Sequence, residues 1–143
     1  MQAENKMELK FLGISVNEGF ARVCAGAFAS QLNPTIEEVA DIKTAISEAV
    51  TNSIVHGYPG RAGEVILRGW LEPGAVVFEV EDTGVGIGDL DSAMQPFFTT
   101  CKGEERSGMG FTVMQTFMDE VSVRSTKGAG TCVRLTKRIE QEK

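Results

Sequence analysis

The sequence has few of the residues that build metal sites and disulfides. Among 143 residues it has one histidine, His56, and three cysteines, Cys24, Cys101 and Cys132, which are far apart and form no CxxC pair. A structural zinc site needs about four such ligands, and a disulfide framework needs paired cysteines. The composition argues against both kinds of site and is typical of a chain in a reducing cytoplasm.

Long apolar runs and an excess of positive charge are also missing. No apolar stretch approaches the roughly 20 residues of a membrane-spanning helix, and charged residues interrupt residues 1–10, where a signal peptide would be apolar. Lys and Arg number 14 against 20 Asp and Glu, for a net charge of −6. The lack of long apolar runs argues against a membrane segment. Because a nucleic-acid-binding surface is basic, the excess of acidic residues argues against direct contact with nucleic acid.

The sequence does contain enough apolar residues for one core. Hydrophobic residues make up 42% and charged residues 24% of the chain, as in an ordinary globular domain. No repeat, low-complexity tract or linker rich in Pro or Ser interrupts it. We therefore predict a single domain over residues 1–143.

Apolar periodicity predicts three helices. The first begins near Asn17 and ends before Asn33-Pro34, with a predicted buried face of Phe20, Val23, Cys24, Ala27 and Phe28. The second begins at Thr35, which forms a capping box with Glu38 and precedes an apolar stripe that includes Ile42, Ile46 and Ser53/Ile54. A third helix is predicted over Phe111–Met118, and a short one near Leu90–Met94.

Alternating apolar residues and turn signals predict five strands. Their predicted ranges are Met7–Ile14, Glu64–Leu71, Ala75–Glu81, Glu120–Ser125 and Thr131–Arg138. Strands that come in hairpins, with helices that do not alternate with them, favour an α+β fold. We expect a two-layer α/β sandwich, with a mixed, mainly antiparallel sheet covered by helices on one face.

The second predicted helix carries polar residues at four-residue spacing. Glu48, Asn52 and His56 line one side of it, next to the apolar stripe. A carboxylate there could act as a general base, and an amide oxygen could bind Mg²⁺. The alternative is a solvated helix edge, and His56 alone is more typical of a cap or a packing residue.

Strand parity places two polar residues toward the helices. Asp82 shares the parity of Val80, and Thr131 shares that of Val133 and Leu135. A buried carboxylate needs hydrogen-bond donors, and the amino group of adenine would supply one. The alternatives are an Asx turn at Asp82 and a backbone-bonded buried Thr131.

Glycines follow Asp82 and precede the third helix. Gly84, Gly86 and Gly88 match neither a dinucleotide fingerprint nor a calcium loop. The stretch Arg106–Gly110 presents glycine backbone and an arginine at a helix N-terminus, a combination suited to phosphate, or else a plain hinged loop. The preceding Pro96–Glu105 resembles a mobile lid.

Together and in this order, the motifs resemble the GHKL ATP-binding fold of DNA gyrase and histidine kinases. The four segments that carry the resemblance are Glu48-x-x-x-Asn52 (N box), Asp82-x-Gly84-x-Gly86 and Gly108-x-Gly110 (glycine boxes), and Gly130-Thr131 (threonine box). Three longer segments narrow the resemblance to the sporulation anti-sigma F factors. They are EAVTNSIVHGY, MQPFFTT and ERSGMGFTVMQTFMDEV, which begin at Glu48, Met94 and Glu105. That family consists of small serine protein kinases.

The resemblance implies ATP and Mg²⁺ as ligands. It implies that Asp82 accepts from adenine with help from Thr131, that Asn52 holds Mg²⁺, and that Glu48 takes the proton of an incoming serine. Arg106 would contact the γ-phosphate. Further implied nucleotide contacts are Gly84, Gly86, Thr99, Ser107, Gly108, Met109 and Gly110.

The resemblance also implies partners. The family forms a homodimer, holds a sigma factor of the sigma F type, and phosphorylates an anti-anti-sigma factor, with Arg22 at a position that contacts both. Cys101-Lys102-Gly103 departs from the Lys-Pro pair usual in the family. Three alternatives remain: a stress-response sigma B type kinase, a nucleotide-gated binding module without catalysis, and an ATPase in which Glu48 activates water.

Overall fold

The sheet is five-stranded, with spatial order β1-β2-β3-β5-β4 and four antiparallel pairings. In this computed structural model the described residues are 5–57, 63–84, 110–126 and 130–139. The elements are β1 (Asn5–Leu12), α1 (Val16–Ala29), a 3-10 turn (Ser30–Leu32), α2 (Ile36–Asn52), a π-helical turn (Ser53–Gly57), β2 (Glu64–Glu72), β3 (Ala75–Asp82), α3 (Gly110–Phe117), β4 (Glu120–Thr126) and β5 (Gly130–Arg138).

This architecture confirms the predicted two-layer α+β fold. The ends of β2 to β5 and of α3 lie within one residue of their predicted positions. Strand β1 begins and ends two residues earlier than predicted, because its pairing with β2 stops at Leu12 opposite Glu64. The short helix predicted near Leu90–Met94 lies outside the described residues.

One face of the sheet packs against the helices. Val76, Phe78 and Val80 of β3 are fully buried on that face, as their parity predicts. Phe78 packs edge to face with Phe28 of α1, with ring centroids 6.2 Å apart. No Cβ would fit at Gly69 of β2, where it would come within 2.9 Å of the Phe28 ring. The aromatic pair therefore fills the space that this glycine leaves.

Helix α1 buries a different face from the one predicted. Ala21, Ala25 and Ala29 are fully buried, whereas Phe20 and Val23 are 52% and 59% exposed. Of the predicted face only Phe28 is buried, and Cys24 is half-buried. The prediction was wrong because α1 is apolar on two sides. The side with the small alanine side chains faces the core, because it lets the backbone of α1 approach α2 closely.

Helix α2 begins and packs as predicted. Thr35 Oγ1 accepts from the Glu38 N–H at 3.0 Å, and Glu38 Oε1 accepts from the Thr35 N–H at 2.8 Å, so the capping box is complete. The buried stripe is Ile42, Ala45, Ile46, Ala49 and Val50, followed by Ser53. The α-helix ends at Asn52 and continues as the π-helical turn to Gly57.

The other face of the sheet carries charged side chains. Arg68 of β2 pairs with Glu8 of β1 at 2.9 Å and with Glu81 of β3 at 2.7 Å. Arg134 of β5 pairs with Glu79 at 2.9 Å. Such alternation of apolar and charged faces is expected where only one side of a sheet is covered by helices. Within the described ranges, no helix is both long and apolar enough to cross a membrane.

Candidate nucleotide site

The polar residues of α2 lie at its C-terminal end. Glu48 and Asn52 are half-buried and one helical turn apart, and Asn52 is the last residue of the α-helix. The Nδ2 atom of Asn52 is buried and has no hydrogen-bond partner. His56 falls in the π-helical turn, a feature that is frequent at functional sites. A buried amide without a partner is costly unless a ligand satisfies it.

Asp82 is a buried carboxylate at the end of β3. Its side chain is on the helix side of the sheet and the residue is 4% exposed. Oδ1 accepts from the Gly84 N–H at 2.9 Å. Burial raises the pKa of Asp82 above its ordinary value, and the charge of Glu81 adds to this, whereas the Gly84 N–H and the nearby polar groups of Ser53 and Thr131 oppose it.

Thr131 lies directly opposite Asp82 in the pairing of β3 with β5. Its hydroxyl oxygen is 2.7 Å from the hydroxyl oxygen of Ser125, which is its partner on β4. Ser125 donates to the Gly130 carbonyl at 3.0 Å. Either hydroxyl can be the donor in this pair, and in both cases the Thr131 oxygen keeps at least one lone pair that can accept from a ligand or a water.

Gly130 makes the close approach of β3 and β5 possible. Its φ is +111°, and a Cβ there would collide with the Asp82 carbonyl oxygen and come within 2.7 Å of the Thr83 Cα. Only glycine fits this position. The Gly130-Thr131 motif thus has a structural reason, because only a glycine before Thr131 lets β5 pair with β3 next to Asp82.

The structure therefore brings together Asp82, Gly84 and Thr131 with the end of α2. The π-helical turn, which begins at Ser53, contacts both β3 and β5. Gly110 is the first residue of α3. The other predicted nucleotide contacts lie outside the described residues; they are Gly86, Thr99, Arg106, Ser107, Gly108 and Met109.

Two residues of this arrangement were not predicted as site residues. Ser53 occupied a position in the apolar stripe of α2, and a polar residue on a buried face is the signal that could have revealed it. Ser125 follows Val121 and Val123 at strand spacing, so its parity predicts the same helix-facing side as Thr131.

Arg22 lies apart from the nucleotide site, on α1. Its side chain is 45% exposed and its Nε is 3.7 Å from Glu18 Oε2, one helical turn away. Five large apolar residues are exposed on β1, on α1 and between them: Leu12, Ile14, Val16, Phe20 and Val23. We call these five residues the α1 surface. Val16, Phe20 and Val23 recur at i, i+4 and i+7 and so form one stripe.

Comparison with known proteins identifies the family. Residues 15–137 match the histidine kinase-like ATPase domain family. An anti-sigma F factor of Thermoanaerobacter sp. is 57% identical over 143 residues, covering all of both chains. One of Caldanaerobacter subterraneus is 59% identical over 139 residues, 97% of each chain. The chain belongs to the anti-sigma F factor family.

A solved structure agrees with the fold of this anti-sigma F factor family member. The RsbU and RsbW domains of a Mycobacterium tuberculosis protein superpose with a TM-score of 0.67 at 19% identity. The match covers 94% of this chain and 32% of that one. An anti-sigma F factor of Bacillus thuringiensis is 54% identical over 134 residues, 93% of this chain and 92% of the relative.

Proposed function

We propose that this chain binds ATP and Mg²⁺, holds a sigma factor of the sigma F type, and phosphorylates a serine of an anti-anti-sigma factor. The observation that carries the proposal is the buried Asp82 carboxylate, which lies opposite Thr131, on a strand that contacts the π-helical turn after Asn52. Membership of the anti-sigma F factor family supports the choice of partners and a cytoplasmic, sporulation-related role.

Asp82 and Thr131 suit the adenine ring. The Asp82 carboxylate has about four acceptor positions, and the Gly84 N–H occupies one of them, which leaves room for an exocyclic amino group. Thr131 would accept from a water that bridges to the ring. Gly84 and Gly86 would let the backbone approach the nucleotide, and Arg106 with the N–H groups of Gly108, Met109 and Gly110 would bind phosphate. Thr99 and Ser107 would add polar contacts.

Mg²⁺ fits the end of α2. Asn52 has a half-buried amide without a protein partner on Nδ2, and an amide can turn its oxygen toward a hard cation. Asn52 would therefore hold the ion. When bound, Mg²⁺ would offset the negative charge of the phosphates.

Glu48 is the proposed general base. Its carboxylate would take the proton of the seryl hydroxyl while the serine oxygen forms a bond to the γ-phosphorus. The bond from that phosphorus to the bridging oxygen breaks, and ADP leaves with the electron pair. A positioned base contributes roughly 10²- to 10⁴-fold to such a step. A module that only bound nucleotide would not need this carboxylate.

The α1 surface supports the proposed protein partners. Exposed apolar residues close together are typical of protein interfaces. Val16, Phe20 and Val23 form such a stripe on α1, and Arg22 adds a charge on the same helix. We propose that this surface and Arg22 serve the homodimer and the docking of the sigma and anti-anti-sigma factors. Docking of both partners at Arg22 would make them exclude each other.

A kinase assay with purified partners tests the proposal. The chain, radiolabelled ATP and Mg²⁺ are incubated with an anti-anti-sigma factor of a related spore former, and the labelled residue is identified by mass spectrometry. We expect label on one serine of that protein. Phosphate release at the same rate with and without the acceptor would favour an ATPase instead. ATP binding with neither product would favour a binding module.

Binding of a sigma F type sigma factor is measured in parallel. Size-exclusion chromatography with light scattering gives the mass of the chain alone and of the mixture. We expect a dimer alone and a larger complex with ATP or ADP present. A sigma B type factor serves as the comparison. Tighter binding of that factor would favour the stress-response sigma B type of anti-sigma kinase.

A further inference from the structure

We propose that Lys137 is a positioning residue of the nucleotide site, which fixes α3 so that the N-terminal end of this helix keeps its place at the phosphates. The inference rests on the proposed ATP binding and adds to it a residue at the opposite end of the fold. Lys137 is on β5, and its side chain is only 14% exposed. Its Nζ donates to Asp41 Oδ2 of α2 at 3.0 Å, and to the carbonyl of Phe117, the last residue of α3, at 2.8 Å. One ammonium group therefore joins β5, α2 and α3.

The three elements that Lys137 joins also carry much of the proposed site. Thr131 lies six residues before Lys137 on β5, on the same side of the sheet. Asp41 lies seven residues before Glu48 on α2, which is close to two turns, so both are on the same side of that helix. Helix α3 begins at Gly110. Lys137 thus joins, away from the site, the elements whose other ends form it.

Helix α3 depends on a directional anchor because it is short. Its eight residues make about two turns, roughly 12 Å, and a helix of that length is marginal by itself. Phe111 and Met114 of α3 and Met118 just after it are buried in the core. Apolar contacts are non-directional and methionine adapts to its surroundings, so these contacts bury the helix without fixing its position along its axis. A hydrogen bond to the last carbonyl does fix that position.

The ammonium group suits the C-terminal end of α3. The last carbonyls of a helix have no partner within it and carry the negative end of the helix dipole. The Phe117 carbonyl and the Asp41 carboxylate together give the mostly buried cation an acceptor and a counter-charge. Two more bonds hold the chain after α3 to β5: Asp119 N–H to the Thr136 carbonyl at 2.9 Å, and Arg138 N–H to Asp119 Oδ2 at 2.7 Å. The C-terminal end is thus fixed, and the N-terminal end of so short a helix follows it.

The test is the substitution Lys137→Met in the full chain, with ATP affinity measured by calorimetry. Methionine keeps an unbranched apolar side chain and removes the ammonium group, and circular dichroism checks the fold. We expect ATP affinity to fall about tenfold, within the range of remote couplings. Arg138→Met is the matched control. It removes an ion pair of the same length, 3.0 Å to Glu120, from the next residue of β5, where both side chains are exposed, and should bind ATP as the wild type does.

A comparison of two ligands distinguishes positioning from a general loss of structure. Adenosine would occupy the end of the site at Asp82 and has no phosphates to contact α3. We therefore expect Lys137→Met to change the affinity for adenosine, measured by NMR titration, less than twofold. A side chain that only stabilised the fold would affect both ligands equally.

Asp41→Asn tests the same link from α2, and it also serves if Lys137→Met does not fold. We expect ATP affinity to fall about fivefold in this variant, and less than twofold further when it is added to Lys137→Met. Equal losses for ATP and adenosine, or an unchanged ATP affinity in both variants, would overturn the role of Lys137. Failure of the wild type to bind ATP would instead overturn the proposed function.

Discussion

Asp82 and Thr131 lie opposite each other on β3 and β5, and Ser125 continues the same row onto β4. Across the layers, the π-helical turn at the end of α2 contacts both β3 and β5. The chain thus places a buried acceptor, a hydroxyl with free lone pairs and a half-buried amide at one end of the sandwich. A fold stabilised only by its core would have no use for this concentration of polar groups.

Asp82→Asn should weaken nucleotide binding. The substitution turns one carboxylate oxygen into a donor, which cannot accept from the adenine amino group. We expect ATP affinity to fall by about tenfold or more, as for a lost bond to a charged group. Glu79→Gln removes a carboxylate from the other face of β3 and is the matched control. An unchanged affinity by calorimetry would contradict the assignment of Asp82.

The pKa of Asp82 predicts opposite effects of pH on binding and stability. Burial raises the pKa above the ordinary 3.8. Above the raised pKa the buried charge lowers the free energy of unfolding, and this penalty disappears as pH falls through the raised pKa toward 3.8. Nucleotide affinity should instead fall over the same range, because the protonated oxygen no longer accepts. Thermal unfolding with and without ATP across pH 4–7 measures both; parallel trends would contradict the prediction.

Glu48→Gln should separate binding from catalysis. Glutamine keeps the shape of the side chain but cannot take the serine proton, so we expect retained ATP affinity and a loss of roughly 10²- to 10⁴-fold in phosphoryl transfer. Glu37→Gln, in the exposed first turn of α2, controls for the loss of a charge on the same helix. Transfer to the anti-anti-sigma serine at the wild-type rate would remove Glu48 from the mechanism.

Gly130→Ala should destabilise the fold much more than Gly74→Ala. Both glycines have positive φ, +111° and +73°, but a Cβ at Gly130 meets the backbone of β3, whereas at Gly74 nothing lies within 4 Å. We expect a loss of about 3–5 kcal/mol at Gly130 and about 1 kcal/mol at Gly74, by chemical denaturation. Similar losses at both positions would mean that the strands can separate at Gly130 without cost.

The sequence predicted the sheet better than the first helix, for a physical reason. Strand parity has a period of two and leaves one choice of buried face, so Asp82 and Thr131 could be assigned to the helix side in advance. Helix α1 is apolar both on its alanine side and on the side of Phe20 and Val23. Periodicity alone therefore could not tell which side faces the core.

Ser53 shows the other limit of sequence reasoning. Its position on the buried stripe of α2 is visible in the sequence, but Asp82, the other buried polar residue of the described ranges, is 29 residues away and on the other layer. Spacing within one helix contains no information about a contact between the layers. Only the packing of the helices on the sheet brings the turn that begins at Ser53 against β3 and β5.

The exposed side of α1 yields the last prediction, which concerns protein partners. Phe20→Ser removes the centre of the α1 surface, where the ring is 52% exposed and contributes little to the core. We expect unchanged ATP affinity and thermal stability, with loss of the dimer or of sigma factor binding by about tenfold or more, as for a buried aromatic anchor. Ile36→Ser, at a residue that is 90% exposed at the start of α2, removes an exposed apolar side chain outside this surface. Light scattering and titration calorimetry measure both variants. Equal effects of the two substitutions would mean that the loss reflects general surface polarity, and no effect of either would mean that the partners bind elsewhere.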